Sequence, residues 1–169
     1  MKIIAFTGPA GAGKTTAAQY LQRAHDFKLL SFAAPIKHML GILAPDWRQY
    51  NKEHPHPGLS GRSFRHAAQT LGTEWGRGLI SPTIWTDHLL RTINRSSQDR
   101  FVIDDLRFAN EADLILGLEG KVCSIEGRRS VLEKGTADHA SEGQIFKITG
   151  KIFNEGTIED LEQAIEKLL

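Results

Sequence analysis

Gly8-Pro9-Ala10-Gly11-Ala12-Gly13-Lys14-Thr15 follows the apolar run Ile3-Ile4-Ala5-Phe6 and fits the phosphate-loop pattern GxxxxGK[ST] at every fixed position. Glycines let successive backbone N–H groups curl around phosphate oxygens, and the helix that follows turns its positive N-terminal end toward the same anion. Lys14 is placed to reach the β- and γ-phosphates. Thr15 sets a hydroxyl where Mg²⁺ takes an oxygen ligand, and Thr16 lies in the first helical turn within reach of the α-phosphate. Gly8, Gly11, Ala12, Gly13, Lys14, Thr15 and Thr16 are therefore expected to grip a nucleoside triphosphate with Mg²⁺. The plain alternative is an ordinary glycine-rich turn, but the strand before, the helix after and the Lys-Thr pair all agree with the motif. The loop leaves the destination of the phosphoryl group open, because kinases, GTPases, motors and DNA-handling ATPases share it.

Outward from the loop, apolar runs alternate with helical patterns. Strands are expected at Lys2 to Phe6, Lys28 to Phe32, Phe101 to Asp104, Lys121 to Glu126 and, as strand or hairpin, Ile145 to Phe153. Helices are expected at Thr15 to Ala24, Pro35 to Leu43, Phe64 to Gly76, Ile84 to Ile93, Asn110 to Leu118 and Thr157 to Leu169, the last opened by the capping-box candidate Thr157-x-x-Asp160. That rhythm predicts an α/β, three-layer P-loop NTPase fold, with a central mostly parallel sheet of about five strands flanked by helices. Pro45 and the Pro55/Pro57/Gly58 cluster break regularity, so the middle of the chain reads as a surface loop over the site. The expected organisation is one kinase-sized domain over residues 1–169, with a substrate-covering insertion near 45–80 and a lid-like segment near 127–143.

At 169 residues and 18.8 kDa the chain has room for a single three-layer core and none for a large motor. Lys and Arg number 21 against 20 Asp and Glu, so the basic excess that nonspecific nucleic-acid binding requires is missing. Cys123 is the only cysteine, which excludes an internal disulfide or a multi-cysteine zinc site and fits a reducing cytoplasm. No apolar stretch approaches the ~20 residues of a membrane span, and the N-terminus runs straight into the phosphate loop without a targeting pattern. A cytoplasmic protein without membrane or stable nucleic-acid partners is expected. Monomer and homodimer both stay open.

Phe101-Val102-Ile103-Asp104-Asp105 is an apolar strand ending in two carboxylates, placed in a parallel sheet at the edge where the phosphate loop lies. Adjacent residues at a strand end point in different directions, so one of the two is expected to touch metal beside Thr15, with Asp104 the candidate and the division of metal and substrate roles between them open. Arg107, two residues after Asp105, adds a cation for a phosphate. The alternative is that the two acids cap the next helix and pair with Arg107. On the helix from Phe64, about 100° per residue puts Arg65, Gln69, Gly72 and Gly76 on one stripe, and Phe64, Ala68, Leu71 and Trp75 on its neighbour. The second stripe reads as core anchor and the first as a pocket wall, unless the glycines merely admit a neighbouring helix. Arg128-Arg129 follows a strand and could close over the transferring phosphoryl group, although an exposed arginine pair is often just solvated. His54-Pro55-His56 lacks further clustered ligands and reads as loop chemistry, not metal binding. Asn51-Lys52-Glu53-His54 lacks the Asp of a guanine-reading Asn-Lys-x-Asp element, and no DExx signature follows the second apolar strand.

Taken in order, Gly8 to Thr16, Ser31-Phe32-Ala33-Ala34-Pro35-Ile36-Lys37, Arg65 with Gln69-Thr70-Leu71-Gly72-Thr73-Glu74, Val102 to Glu111, His139-Ala140-Ser141-Glu142 and Asn154-Glu155-Gly156-Thr157 resemble the bacteriophage-type deoxynucleoside monophosphate kinases. The resemblance spans nearly the whole chain. It implies an adenylate-kinase-like fold and transfer of the γ-phosphoryl of ATP, with Mg²⁺, to a deoxynucleoside monophosphate. It implies that Lys37, Arg65, Gln69, Asp105, Arg107 and Glu111 surround the monophosphate, with Lys14 and the lid cations Arg128 and Arg129 serving catalysis. His139, Ser141 and Glu142 join the substrate side on the motif alone, and Asn154 and Gly156 would lie beside the adenine of ATP. The chain departs from the family at Ala34, where Asp is common, which bears on base preference. Trp75 stands where a smaller residue is common, which reads as a change in core packing. The other readings are a small-metabolite P-loop kinase of the shikimate, gluconate or dephospho-coenzyme A type, and a nucleotide-binding module that hydrolyses ATP slowly.

Overall fold

A computed structural model describes residues 1–127 and 145–169. Arg128, Arg129, His139, Ser141 and Glu142, with most of the lid-like segment, lie outside the described residues. Strands β1 (Lys2–Thr7), β2 (Lys28–Leu30), β3 (Arg100–Ile103), β4 (Lys121–Gly127) and β5 (Gly150–Asn154) form one sheet in the order β2-β3-β1-β4-β5, and every neighbouring pair is parallel. Parallel strands covered on both faces read as continuous apolar runs, and Ile3 to Phe6 and Phe101 to Ile103 are buried accordingly.

Alternation along β1 sends Ile4 and Phe6 to one face, where they join Val102, Cys123 and Ile125. Helices α1 (Lys14–His25) and α6 (Ile158–Glu166) close that face with Ala17, Ala18, Leu21, Leu161 and Ile165. Helix α5 (Ala109–Gly117), which buries Ala112 and Ile115, packs on β1 and β4. A methyl added at Gly120 would meet Ile115 and Ile3, so Ile3 faces α5 across the opposite side of the sheet. The result is the three-layer parallel α/β arrangement expected from the alternating pattern. The C-terminal stretch forms one parallel strand, not a hairpin. Thr149 just ahead of it docks on β4, its N–H donating to Val122 O at 2.8 Å while its hydroxyl accepts the Val122 N–H at 2.9 Å.

The chain divides into two compact units, Met1–Ser31 with Leu89–Leu169, and Phe32–His88. The first holds the whole sheet. The second takes in the 45–80 stretch together with α2 (Ala34–Leu43), α3 (Phe64–Thr70), a π-helix (Leu71–Ile80) and the start of α4 (Ile84–Asn94). Its core is Ile36, Leu40, Phe64 and Trp85, with Trp47 stacked on Phe64 at a centroid distance of 4.1 Å. The region expected as loop holds short 3₁₀ turns at Trp47–Gln49 and Pro57–Leu59 and a Pro55–Ser63 bridge.

The π-helix corrects the reading of Phe64 to Gly76 as one α-helix. An i→i+5 pattern advances fewer degrees per residue than 3.6-residue phasing assumes, so the stripes drift after Thr70. Trp75, read as a core anchor, is 38% exposed. Gly72 and Gly76, read as pocket wall, are buried against protein: a methyl at Gly76 would run into the Trp85 indole, and one at Gly72 would come within 3.0 Å of Ile36. The glycines admit Trp85, whose Nε1 donates to Gly72 O at 2.8 Å. Among the described residues no helix is long and apolar enough to cross a membrane.

Candidate active site

The phosphate loop joins β1 to α1 and takes its shape from three glycines in the left-handed region, Gly8 at φ 130°, Gly11 at 76° and Gly13 at 104°. These are backbone conformations that side chains with a Cβ resist. Gly8 also has no room for one, since a methyl would strike the Ile125 carbonyl. The loop is braced from behind by Asn154, which is buried at the end of β5 and donates its Nδ2 hydrogen to Ala12 O at 2.8 Å. A Cβ on Gly13 would sit 2.6 Å from that same amide nitrogen. Asn154 therefore supports the loop's backbone. Gly156, expected with it beside adenine, lies in the turn where a methyl would press on Asp160.

The Lys14 ammonium donates to Gly8 O at 2.7 Å and Pro9 O at 2.6 Å, which keeps it over the loop that it would serve. Thr15 Oγ1 donates to Asp104 Oδ2 at 2.9 Å, joining α1 to the end of β3. One hydroxyl and one carboxylate at this spacing are the oxygen donors that Mg²⁺ accepts from protein when phosphates and water complete its shell, so the residues present fit that ion. Among the described residues, no group of three or more His, Cys, Asp or Glu gathers as a metal site of its own.

Asp104 and Asp105 part company as adjacent strand-end residues should. Asp105 Oδ2 accepts the Ser31 hydroxyl at 2.6 Å, so the acid is held from the end of β2. Ser31 was not singled out from sequence, although it opens one of the quoted segments; its bond spans 74 residues, beyond any local pattern. Glu111 is 2% exposed and accepts the N–H groups of Arg107 (2.8 Å) and Phe108 (3.1 Å). It thereby caps α5, the role for which Asp104 and Asp105 are the alternative on sequence, and it shapes the turn carrying the exposed Arg107.

The remaining substrate-side residues belong to the second unit. Lys37 and Ala34 are exposed in the first turn of α2, and Gln69 is half-buried on α3. Arg65, also half-buried, donates its backbone N–H to Lys52 O at 2.9 Å and its Nε to Glu53 Oε1. Nothing in the sequence marked Glu53.

No family model matches the chain. By sequence, a protein of Acanthamoeba polyphaga mimivirus named "Putative deoxynucleotide monophosphate kinase" is 31% identical over 185 aligned positions, which take in 98% of this chain and 94% of the viral one. The chain belongs to the deoxynucleotide monophosphate kinase family. Among solved structures, the kinase resembles TT1252 from Thermus thermophilus at 19% identity and a TM-score of 0.55, covering 98% of this chain and 95% of that one. It also resembles shikimate kinase from Aquifex aeolicus vf5, at 13% identity, a TM-score of 0.56 and coverages of 99% and 95%. Shikimate kinase from Acinetobacter baumannii in complex with shikimate gives 16%, 0.52, 99% and 91%. At these identities the structural likeness establishes the fold of the kinase and nothing about its acceptor.

Two side chains with reactive potential serve the fold of the kinase. Burial pushes the Cys123 thiol up to about 11, so this cysteine is inert in β4. His56 is buried with Nδ1 accepting the Gly58 N–H at 3.1 Å and Nε2 lying 3.2 Å from Asp46 Oδ1, in keeping with a loop-ordering role.

Proposed function

We propose that this kinase transfers the γ-phosphoryl group of ATP to the 5′-phosphate of a deoxynucleoside monophosphate, giving ADP and a deoxynucleoside diphosphate. The observation that carries the acceptor class is the likeness to the viral relative, which runs through 98% of this chain and includes nearly all of the other. The donor half is supported by the geometry of Lys14, Thr15 and Asp104 on a glycine-shaped loop.

The acceptor is already an anionic phosphate, so its attack on the γ-phosphorus needs no strong base; alignment and neutralisation of charge carry the step. The loop N–H groups and Lys14 would hold the donor phosphates, and Thr15 with Asp104 would hold Mg²⁺, which would supply neutralisation of phosphate charge. By the family resemblance, Lys37, Arg65 and Gln69 of the second unit, and Asp105 and Arg107 of the first, are each candidates for contact with the monophosphate, and Arg128 and Arg129 are candidates for bringing cations to the charge that develops during transfer. Ser31 fixes the carboxylate of Asp105, and Glu111 fixes the turn before Arg107.

The test is an acceptor panel with Mg-ATP, containing dAMP, dGMP, dTMP and dCMP beside shikimate, gluconate and dephospho-coenzyme A, read as ADP formed and confirmed by detection of the phosphorylated product. Turnover with at least one deoxynucleoside monophosphate, far above the three metabolites, is expected. Turnover confined to a metabolite, or ADP release indifferent to every acceptor, would overturn the proposal.

A further inference from the structure

Arg65 is held from two directions by one short stretch of chain. Its backbone N–H is fixed on Lys52 O at 2.9 Å, and its Nε donates to the carboxylate of the next residue, Glu53. Glu53 is itself anchored: its N–H donates to Asn51 Oδ1 at 3.0 Å, and the His54 N–H donates to Asn51 O at 2.9 Å, a turn closed on the Asn side chain. Two residues on, Pro55 pairs with Ser63, whose hydroxyl caps α3, the helix that carries Arg65. Both ends of the ion pair are thus tied to backbone that is tied to itself.

A guanidinium offers five N–H donors in a rigid fork. With Nε committed to a carboxylate, the two terminal amino groups remain as the edge that meets a phosphate through a pair of parallel bonds. We propose that Glu53 is a positioning residue for the acceptor: its carboxylate holds Arg65 through Nε so that the terminal amino groups are presented together to the phosphate of the monophosphate. This rests on the proposed function, in which Arg65 binds that phosphate. Two effects of Glu53 oppose each other. Its charge repels an incoming anion, and its grip spares a long side chain the ordering that binding would otherwise demand. Glu53, 45% exposed, keeps its carboxylate in contact with water, which weakens the repulsion, so the ordering effect wins.

Steady-state kinetics of the whole chain, varying monophosphate and ATP separately, test this. Glu53→Ala is expected to raise KM for the monophosphate on the order of ten-fold while leaving KM for ATP unchanged. Glu53→Gln, which keeps an acceptor oxygen, should stay near the wild type. In an Arg65→Ala background, Glu53→Ala should add nothing, because Glu53 acts only through Arg65. A monophosphate KM that Glu53→Ala leaves unchanged or lowers, or one that it raises equally without Arg65, overturns the proposal. If Arg65→Ala itself leaves that KM unchanged, the placement of Arg65 at the acceptor falls and the proposal with it. A rise for Arg65→Ala beside an unmoved Glu53→Ala removes Glu53 alone.

Discussion

Lys14 and Asn154 act on the same loop by different means. Lys14 bonds two carbonyls of the loop from within its own chain neighbourhood, so the charge it carries is held close to the loop's N–H groups. Lys14→Ala is expected to lower kcat on the order of 10²–10³-fold with a smaller effect on the thermal midpoint, since it removes a charge from the reacting phosphates and two hydrogen bonds to loop carbonyls but no core contact. A coupled assay beside a thermal melt checks both halves. Asn154 contributes a buried amide instead. Asn154→Ala leaves the Ala12 carbonyl without its partner and is expected to cost about 1–3 kcal/mol of stability. It should also raise KM for ATP, measured against an unaltered KM for the acceptor. The two residues differ in legibility for a physical reason. The requirements on Lys14 are met within eight residues of sequence, so spacing alone reveals it. Asn154 lies 142 residues from the carbonyl it holds. Only its place in a resembling segment drew attention to it, and the role implied there was contact with adenine.

Caps set by local signals are legible in the sequence, whereas a change of helix type beside a distant packing partner is not. Thr157 and Asp160 satisfy each other's backbone within one turn, the hydroxyl accepting the Asp160 N–H at 3.2 Å and the carboxylate accepting the Thr157 N–H at 2.8 Å, so the start of α6 could be found from four residues. Within the π-helix that follows α3, Gly76 lies against Trp85, a contact that no periodicity displays. Gly76→Ala is therefore expected to destabilise the second unit by about 1–3 kcal/mol, as overpacking of a filled site does, and denaturant unfolding would measure it. Helix α6 carries a pH dependence of its own. The Tyr20 hydroxyl and His25 hold the Glu166 carboxyl below its ordinary range, and the Thr157 backbone does the same for Asp160. Carboxyls with depressed folded values stabilise above their unfolded values and lose that contribution as pH falls through the folded ones. The melting midpoint should thus decline as pH drops below about 4, and Glu166→Gln should flatten the decline by lowering the midpoint at neutral pH.

At the scale of the whole molecule, the alternation of strands and helices was enough to give the parallel sheet, because strands covered on both faces leave continuous apolar runs in the chain. The division into units Met1–Ser31 with Leu89–Leu169 and Phe32–His88 leaves no linker signal in the sequence, since one boundary falls in the short turn between β2 and α2 and the other inside α4. That division has a spectroscopic side. All three tryptophans, Trp47, Trp75 and Trp85, belong to Phe32–His88, and none belongs to the unit that carries the phosphate loop. Emission excited at the red edge, beyond tyrosine absorption, therefore comes from one unit only, while far-ultraviolet dichroism samples the helices of both. The molecule has a built-in reporter that sees the unit of Lys37, Arg65 and Gln69 and is blind to the sheet, so a melt followed by the two signals together resolves the units without any added label.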